Sequence, residues 1–162
     1  MIALPADLRV LAALPRGARL LGFDLGTKTI GLALSDVGRR IATPLETVAR
    51  RKFTLDAERV RSLTERFGVG GFVVGLPINM DGSEGPRAQA TRAFVRNLVS
   101  VVPVPAVFWD ERLSSAAVNR ALIGADTSRA KRAALVDKAA AAYILQGALD
   151  RLAEAERSLI EP

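Results

Sequence analysis

LLGFDLGTKTIGLALSD, running from Leu20 to Asp36, holds two apolar runs on either side of a short polar turn. Leu20–Leu25 and Ile30–Leu34 are of strand length, and Gly26-Thr27-Lys28-Thr29 between them is a β-hairpin signal. One carboxylate, Asp24, is set inside the first run. A strand covered on both faces reads as continuous apolar residues, and an uncompensated charge there is costly. A bound cation would compensate it; so would Lys28 or hydrogen bonds from the turn. One stretch thus predicts both the start of a sheet and a candidate site.

The chain beyond the hairpin extends that sheet. Ile41 to Val48 has strand character, with Pro44 marking an edge position, so the first three strands read as an antiparallel meander. Phe53, Ala57, Val60, Leu63 and Phe67 recur at helical spacing, with Thr54, Asp56 and Glu58 near the helix start and Gly68 at its end. Gly71–Gly75 reads as a central strand, and Pro86 to Val101 as a second helix opened by proline. Val104 to Trp109 reads as a fifth strand. Ser114 or Ser115 caps a helix to Ile123, Gly124–Arg132 reads as a polar basic loop, and a final helix runs from near Ala133 to Leu159. Strand–helix alternation in the second half implies parallel strands with right-handed crossovers. The expected fold is α/β: a mixed five-stranded sheet, three strands antiparallel and two parallel, flanked by helices. Sites in such sheets lie at the carboxyl ends of the parallel strands.

Composition narrows the chemistry. A chain of 162 residues has a one-domain length, with 1–19 read as an N-terminal extension, packed or frayed, and 156–162 as a C-terminal tail. No apolar run reaches the roughly 18 residues of a membrane span. The absence of cysteine fits a reducing cytoplasm. With neither cysteine nor histidine, the usual zinc sets and the Ser–His and Cys–His nucleophile pairs are excluded. A metal here must be a hard cation held by carboxylates, Mg²⁺ or Mn²⁺. The formal net charge of +6 favours a polyanionic partner.

Three places supply further acids. Asp110 and Glu111 follow the fifth strand, and adjacent strand residues point to opposite faces, so one of the two would face a shared site; residue spacing alone does not choose between them. Asp137 falls on the apolar stripe of the last helix with Ala141, Ile144, Ala148 and Leu152; the alternative is a helix-dipole or capping role. Asp150 lies among Arg151 and Glu154 and reads as surface. Carboxylates on separate elements are what a two-metal phosphoryl-transfer site requires, and without cations they would repel one another.

Four motifs now line up. FDLGTKTIGLALSD (Phe23–Asp36), VVGLPINMDGSEGP (Val73–Pro86), DERLSS (Asp110–Ser115) and VDKAAAAYILQGAL (Val136–Leu149) resemble, in order, those of the YqgF-type family. Its members are described both as Holliday junction resolvases and as pre-16S rRNA nucleases. The resemblance implies a ribonuclease-H-like fold and assigns Asp24, Glu111 and Asp137 as the catalytic, metal-binding acids for two Mg²⁺ or Mn²⁺ ions. Asp110 then becomes a supporting residue or alternative ligand. Classical resolvases of that superfamily carry their second carboxylate directly after the fourth strand; here that position reads Gly75-Leu76-Pro77, and the acid comes one strand later. Junction cleavage is therefore not inherited from them.

Basic residues around these acids are candidate nucleic-acid contacts: Lys28 at the hairpin, Arg87 at a helix start, Arg112 beside Glu111, and Arg129, Lys131 and Arg132 ahead of Asp137. Each also has a plain structural reading, such as a solvated side chain or, for Arg112, an ion pair. Trp109 and Phe108 read as core. The expectation is a monomeric or homodimeric nuclease acting on structured DNA or precursor rRNA, away from membranes. The rival is a nucleic-acid-binding processing or transcription factor that cuts nothing. DLGTKTIG also resembles the phosphate loop of actin-like ATPases, but one short chain has no room for their two lobes.

Overall fold

The computed structural model describes residues 4–113 and 129–160, and side chains over 8–113 and 137–157. Its core is a five-stranded sheet of order β3-β2-β1-β4-β5. The strands are β1 (Arg19–Leu25), β2 (Thr29–Ser35), β3 (Ala42–Ala49), β4 (Val69–Leu76) and β5 (Ala106–Asp110). β1, β2 and β3 pair antiparallel, while β4 joins β1 and β5 in parallel. This is the mixed meander-plus-parallel sheet expected. β3 lies at the edge, and its register shifts where Pro44 sits opposite Ala33, as a residue without an N–H requires.

Helices cover both faces. α2 (Phe53–Phe67) and α3 (Pro86–Val101) lie on one side, burying Val60, Leu63, Phe94 and Leu98 with Phe23, Phe72 and Val74. The other side carries α1 (Leu4–Ala12) and the long α4 (Arg129–Ile160), where Leu11, Ile144, Leu145 and Ala148 pack on Leu20, Val73 and Trp109. Strand alternation sorts the residues: Leu21, Phe23 and Leu25 face α2 and α3, whereas Leu20 faces α4. Asp24 belongs by that period to the α4 face.

Several local details differ from the sequence expectations. α2 is not started by Thr54: its N-cap is Lys52, with no side-chain cap, and the buried carboxylate of Asp56 accepts the Arg51 N–H at 3.1 Å instead. α4 begins at Arg129 rather than near Ala133, and ends at Ile160, one residue past the expected Leu159. The N-terminal extension is packed, with Leu8 and Leu11 buried. Arg39, at a left-handed φ of 53°, ties its end down by donating to the carbonyls of Pro15 and Ala18 at 3.0 and 2.8 Å. The helix expected from Ser114 or Ser115 to Ile123 lies outside the described residues.

Candidate active site

Glycines set how closely α4 approaches the sheet, and two of them flank Asp24. On β2, Gly31 sits directly opposite Asp24. A Cβ at Gly31 would stand 2.0 Å from the Asp137 carbonyl oxygen, so the backbone of α4 lies against this bare patch. On β4, a Cβ at Gly75 would meet Ile144 Cδ1 at 2.5 Å and Glu111 Oε1 at 3.0 Å. Since Phe23 pairs with Val74, Gly75 neighbours the Asp24 segment from the other side. The missing side chains thus open a space above Asp24 that Glu111 and Asp137 enter from the turn after β5 and from α4.

The result is a cavity of about 320 Å³ lined by Asp24, Gly26, Gly75, Arg87, Glu111 and Asp137. Asp24 is buried, and Glu111 and Asp137 are half-buried. Thr29, the first residue of β2, donates its hydroxyl to Asp137 Oδ2, which fixes the orientation of that carboxylate. The hairpin is closed by the Gly26 N–H donating to the Thr29 carbonyl at 2.8 Å, leaving Lys28 exposed at its tip.

The adjacent acids part company here. Asp110 ends β5 and is buried. Arg112 Nε and Nη2 donate to its two oxygens, the shorter contact 2.7 Å, and the Arg112 N–H adds another at 2.9 Å. Burial pushes the Asp110 carboxyl up, but the Arg112 guanidinium and N–H outweigh it, and its pKa lies below the ordinary value. Glu111 opens the following 3₁₀ turn and faces the cavity instead.

The basic candidates fall into three groups. Arg87 lines the acid cavity and donates from Nη2 to the Leu25 carbonyl at 3.1 Å. Arg112 is engaged with Asp110 and also lines a neighbouring hollow with Asn79, Met80 and Glu111. Arg129, Lys131 and Arg132 fall in the first turn of α4, and their side chains lie outside the described residues. Trp109 is buried, and Phe108, half-buried, carries the Arg92 guanidinium 4.8 Å from its ring centre.

Two neighbours of the site escaped the reading of the sequence. Thr29 had a signal, a hydroxyl between turn and strand, but not its partner 108 positions away. Arg50, just past β3, reaches the Gly26 carbonyl at 2.7 Å and had none.

The donor set fits a hard divalent cation: carboxylate oxygens, with neither thiolate nor imidazole. Among the described residues no three acids are gathered tightly enough to enclose one ion.

Comparison with known proteins bears on this arrangement. The family model RuvX, described as Holliday junction resolvase, matches residues 18–151. A protein of Beijerinckia indica is 70% identical over 135 residues, 83% of this chain and 82% of its own. One from Methylocella silvestris is 66% identical over 142 residues, 88% of each chain. Both carry the name "Putative pre-16S rRNA nuclease". Among solved structures, T. thermophilus RuvC in complex with Holliday junction substrate matches with a TM-score of 0.53 at 16% identity, over 84% of this chain and 96% of that one. The yeast mitochondrial Holliday junction resolvase matches at 0.53 and 13%, over 94% and 87%. At such identities these structures speak to the fold, which is ribonuclease-H-like. The match of the family model over most of the sequence, together with relatives at 66% and 70% identity, places this chain in the RuvX family of Holliday junction resolvases.

Proposed function

We propose that the protein is a metal-dependent nuclease hydrolysing phosphodiester bonds in structured nucleic acid, in 5′-end processing of pre-16S rRNA and/or Holliday junction resolution. The observation that carries this reading is the meeting of Asp24, Glu111 and Asp137, from three separate elements, around one cavity beside Arg87. Family membership supports the hydrolytic class. The relatives' names support precursor rRNA as a substrate, and the family's description supports the junction.

Asp24, Glu111 and Asp137 would hold two Mg²⁺ or Mn²⁺ ions. When bound, these supply an activated water and charge neutralisation at the leaving oxygen. Thr29 keeps Asp137 aimed into the cavity, while Arg112 neutralises Asp110 and leaves Glu111 as the acid of that pair facing it. Arg87, anchored on the Leu25 carbonyl, presents positive charge to an incoming phosphate. Phosphoryl transfer asks little more of a protein than positioning and electrostatics. Among the described residues no helix is long and apolar enough to cross a membrane. We place the enzyme in the cytoplasm, as a monomer or homodimer.

The test sets labelled four-way DNA junction, single-stranded DNA and a precursor-16S rRNA mimic side by side. Each is run with Mn²⁺, with Mg²⁺ and with chelator. Metal-dependent cutting by the parent, lost by 10³-fold or more in Asp24→Asn, about 4 kcal/mol or above of transition-state stabilisation, is the expected result. Binding without cutting of any substrate would replace the nuclease with a non-catalytic processing factor. Cutting that survives Asp24→Asn would put the site elsewhere.

A further inference from the structure

Among the described residues, four arginines stand around the carboxyl edge of the sheet, and two of them are already neutralised. Arg112 is forked onto Asp110, and Arg92 onto Glu84 at 2.6 and 2.9 Å. Arg50 and Arg87 are held differently. Arg50 Nη1 donates to the Gly26 carbonyl at 2.7 Å, and its guanidinium lies 5.2 Å from the ring centre of Phe94. Arg87 Nη2 donates to the Leu25 carbonyl at 3.1 Å. Each anchor uses one N–H on a main-chain oxygen, and no carboxylate among the described residues pairs with either. A guanidinium has five N–H donors, so both keep their charge and most of their donors.

Between them lies a hollow of about 70 Å³, lined by Leu25, Gly26, Thr27, Arg50, Arg87 and Phe94. That is the room of roughly two waters, enough for a compact anion. Leu25, Gly26 and Arg87 also line the acid cavity, so the two spaces share a wall. The acid-lined cavity offers a polyanion little attraction of its own, and Arg50 and Arg87 place positive charge on its flank. The carbonyl anchors, with the Phe94 ring beneath Arg50, hold both forks in position, which reduces the ordering cost of binding.

We propose that this hollow binds a backbone phosphate of the substrate, beside the phosphate cut at Asp24, Glu111 and Asp137, with Arg50 and Arg87 as its ligands. The proposal rests on the nuclease reading above and adds to it a subsite and a contact residue, Arg50.

The probe is a labelled precursor-16S rRNA mimic cut with Mn²⁺ across a salt series by the parent, Arg50→Ala and Arg50→Lys. Arg50→Ala is expected to lower cleavage efficiency roughly three- to tenfold and the salt slope by about 0.7, with Arg50→Lys retaining most of both. Single methylphosphonate linkages are then scanned through the RNA next to the cut. One of them should weaken the parent by a similar factor and add nothing to the loss in Arg50→Ala. Should Arg50→Ala melt several degrees lower, Arg50→Gln, which keeps an N–H without the charge, carries the same comparison. A parent-like salt slope in the alanine and glutamine variants, or a methylphosphonate loss equal in parent and variant at every position, would overturn the subsite. No cutting by the parent would instead fail the nuclease reading itself.

Discussion

Gly31→Ala tests the step on which the site's geometry depends, the seating of α4 on β2. The added methyl would stand 2.0 Å from the Asp137 carbonyl oxygen and 2.3 Å from its carbon. Contacts to a side-chain Cβ are not found below 3.0 Å, so the strand and helix must part by about 1 Å, and no rotamer change can relieve a clash with backbone. Overpacking of this kind costs about 1–3 kcal/mol, which in a domain of this size lowers the melting midpoint by roughly 2–12 °C. Activity should fall further than stability does. A displacement of about 1 Å at a catalytic group costs on the order of 100-fold in rate, and the displaced residue, Asp137, is one of the three acids we propose as catalytic. The assays are thermal denaturation and Mn²⁺-dependent cleavage at a temperature where both proteins are folded. Gly38→Ala is the control, because its Cβ would meet nothing closer than 3.7 Å. A Gly31→Ala protein that melts and cuts like the parent would refute the seating of α4. One that melts lower but cuts at full rate would refute the claim that this seating positions Asp137.

Arg112→Ala leaves the buried Asp110 carboxylate with a backbone N–H and no guanidinium. We expect a lower melting midpoint at neutral pH, by less than the loss of a fully buried pair would cause, because Arg112 is exposed. The paired Asp110 has its pKa lowered, so its contribution is present above about pH 3.9 and is lost as pH falls through the depressed value. Melting curves of parent and variant should accordingly differ most near pH 7 and converge below about pH 4; a gap unchanged at low pH would contradict the pairing. Thr29→Val keeps the volume but removes the hydroxyl that donates to Asp137 Oδ2. Losing such a supporting hydrogen bond should raise the Mg²⁺ concentration needed for half-maximal cutting by roughly 10- to 100-fold, with the melting midpoint little changed and Thr29→Ser close to the parent. An unchanged metal titration would mean that Thr29 does not orient that carboxylate.

The architecture was legible where one local rule dominated. The Gly26–Thr29 turn between two apolar runs dictated the hairpin, and the spacing of Phe53 through Phe67 gave α2 its observed bounds. Pro86 marked the start of α3. Local rules misled where tertiary contacts or competing signals intervened. Thr54 had the chemistry of a cap, yet the chain uses Asp56, whose burial beneath the Arg51 N–H no spacing reveals. Arg129 to Arg132 read as a loop because of their charge, although Arg, Lys and Ala are strong helix formers, and the helix begins there.

The carboxylates and the arginines of the site differ in legibility for a physical reason. Asp24 and Asp137 interrupt apolar patterns, and a charge in such a position needs a compensating partner, so the pattern itself points at them. An arginine interrupts nothing. Whether it neutralises a neighbour, as Arg112 does Asp110, or keeps its charge while resting on a carbonyl, as Arg50 does on Gly26, is decided by what the fold brings within about 3 Å of it. The glycines carry the same lesson inverted. Gly31 and Gly75 lie inside strand runs where no pattern tells what packs against them, yet each is required by the close approach of α4 or Glu111. Asp24 and Asp137 could be inferred from the apolar patterns they interrupt, Glu111 over Asp110 only from the family resemblance; the space in which the three meet is set by side chains that are absent. That space is why Gly31→Ala, which alters no charge and no ligand, should impair catalysis more than it impairs folding.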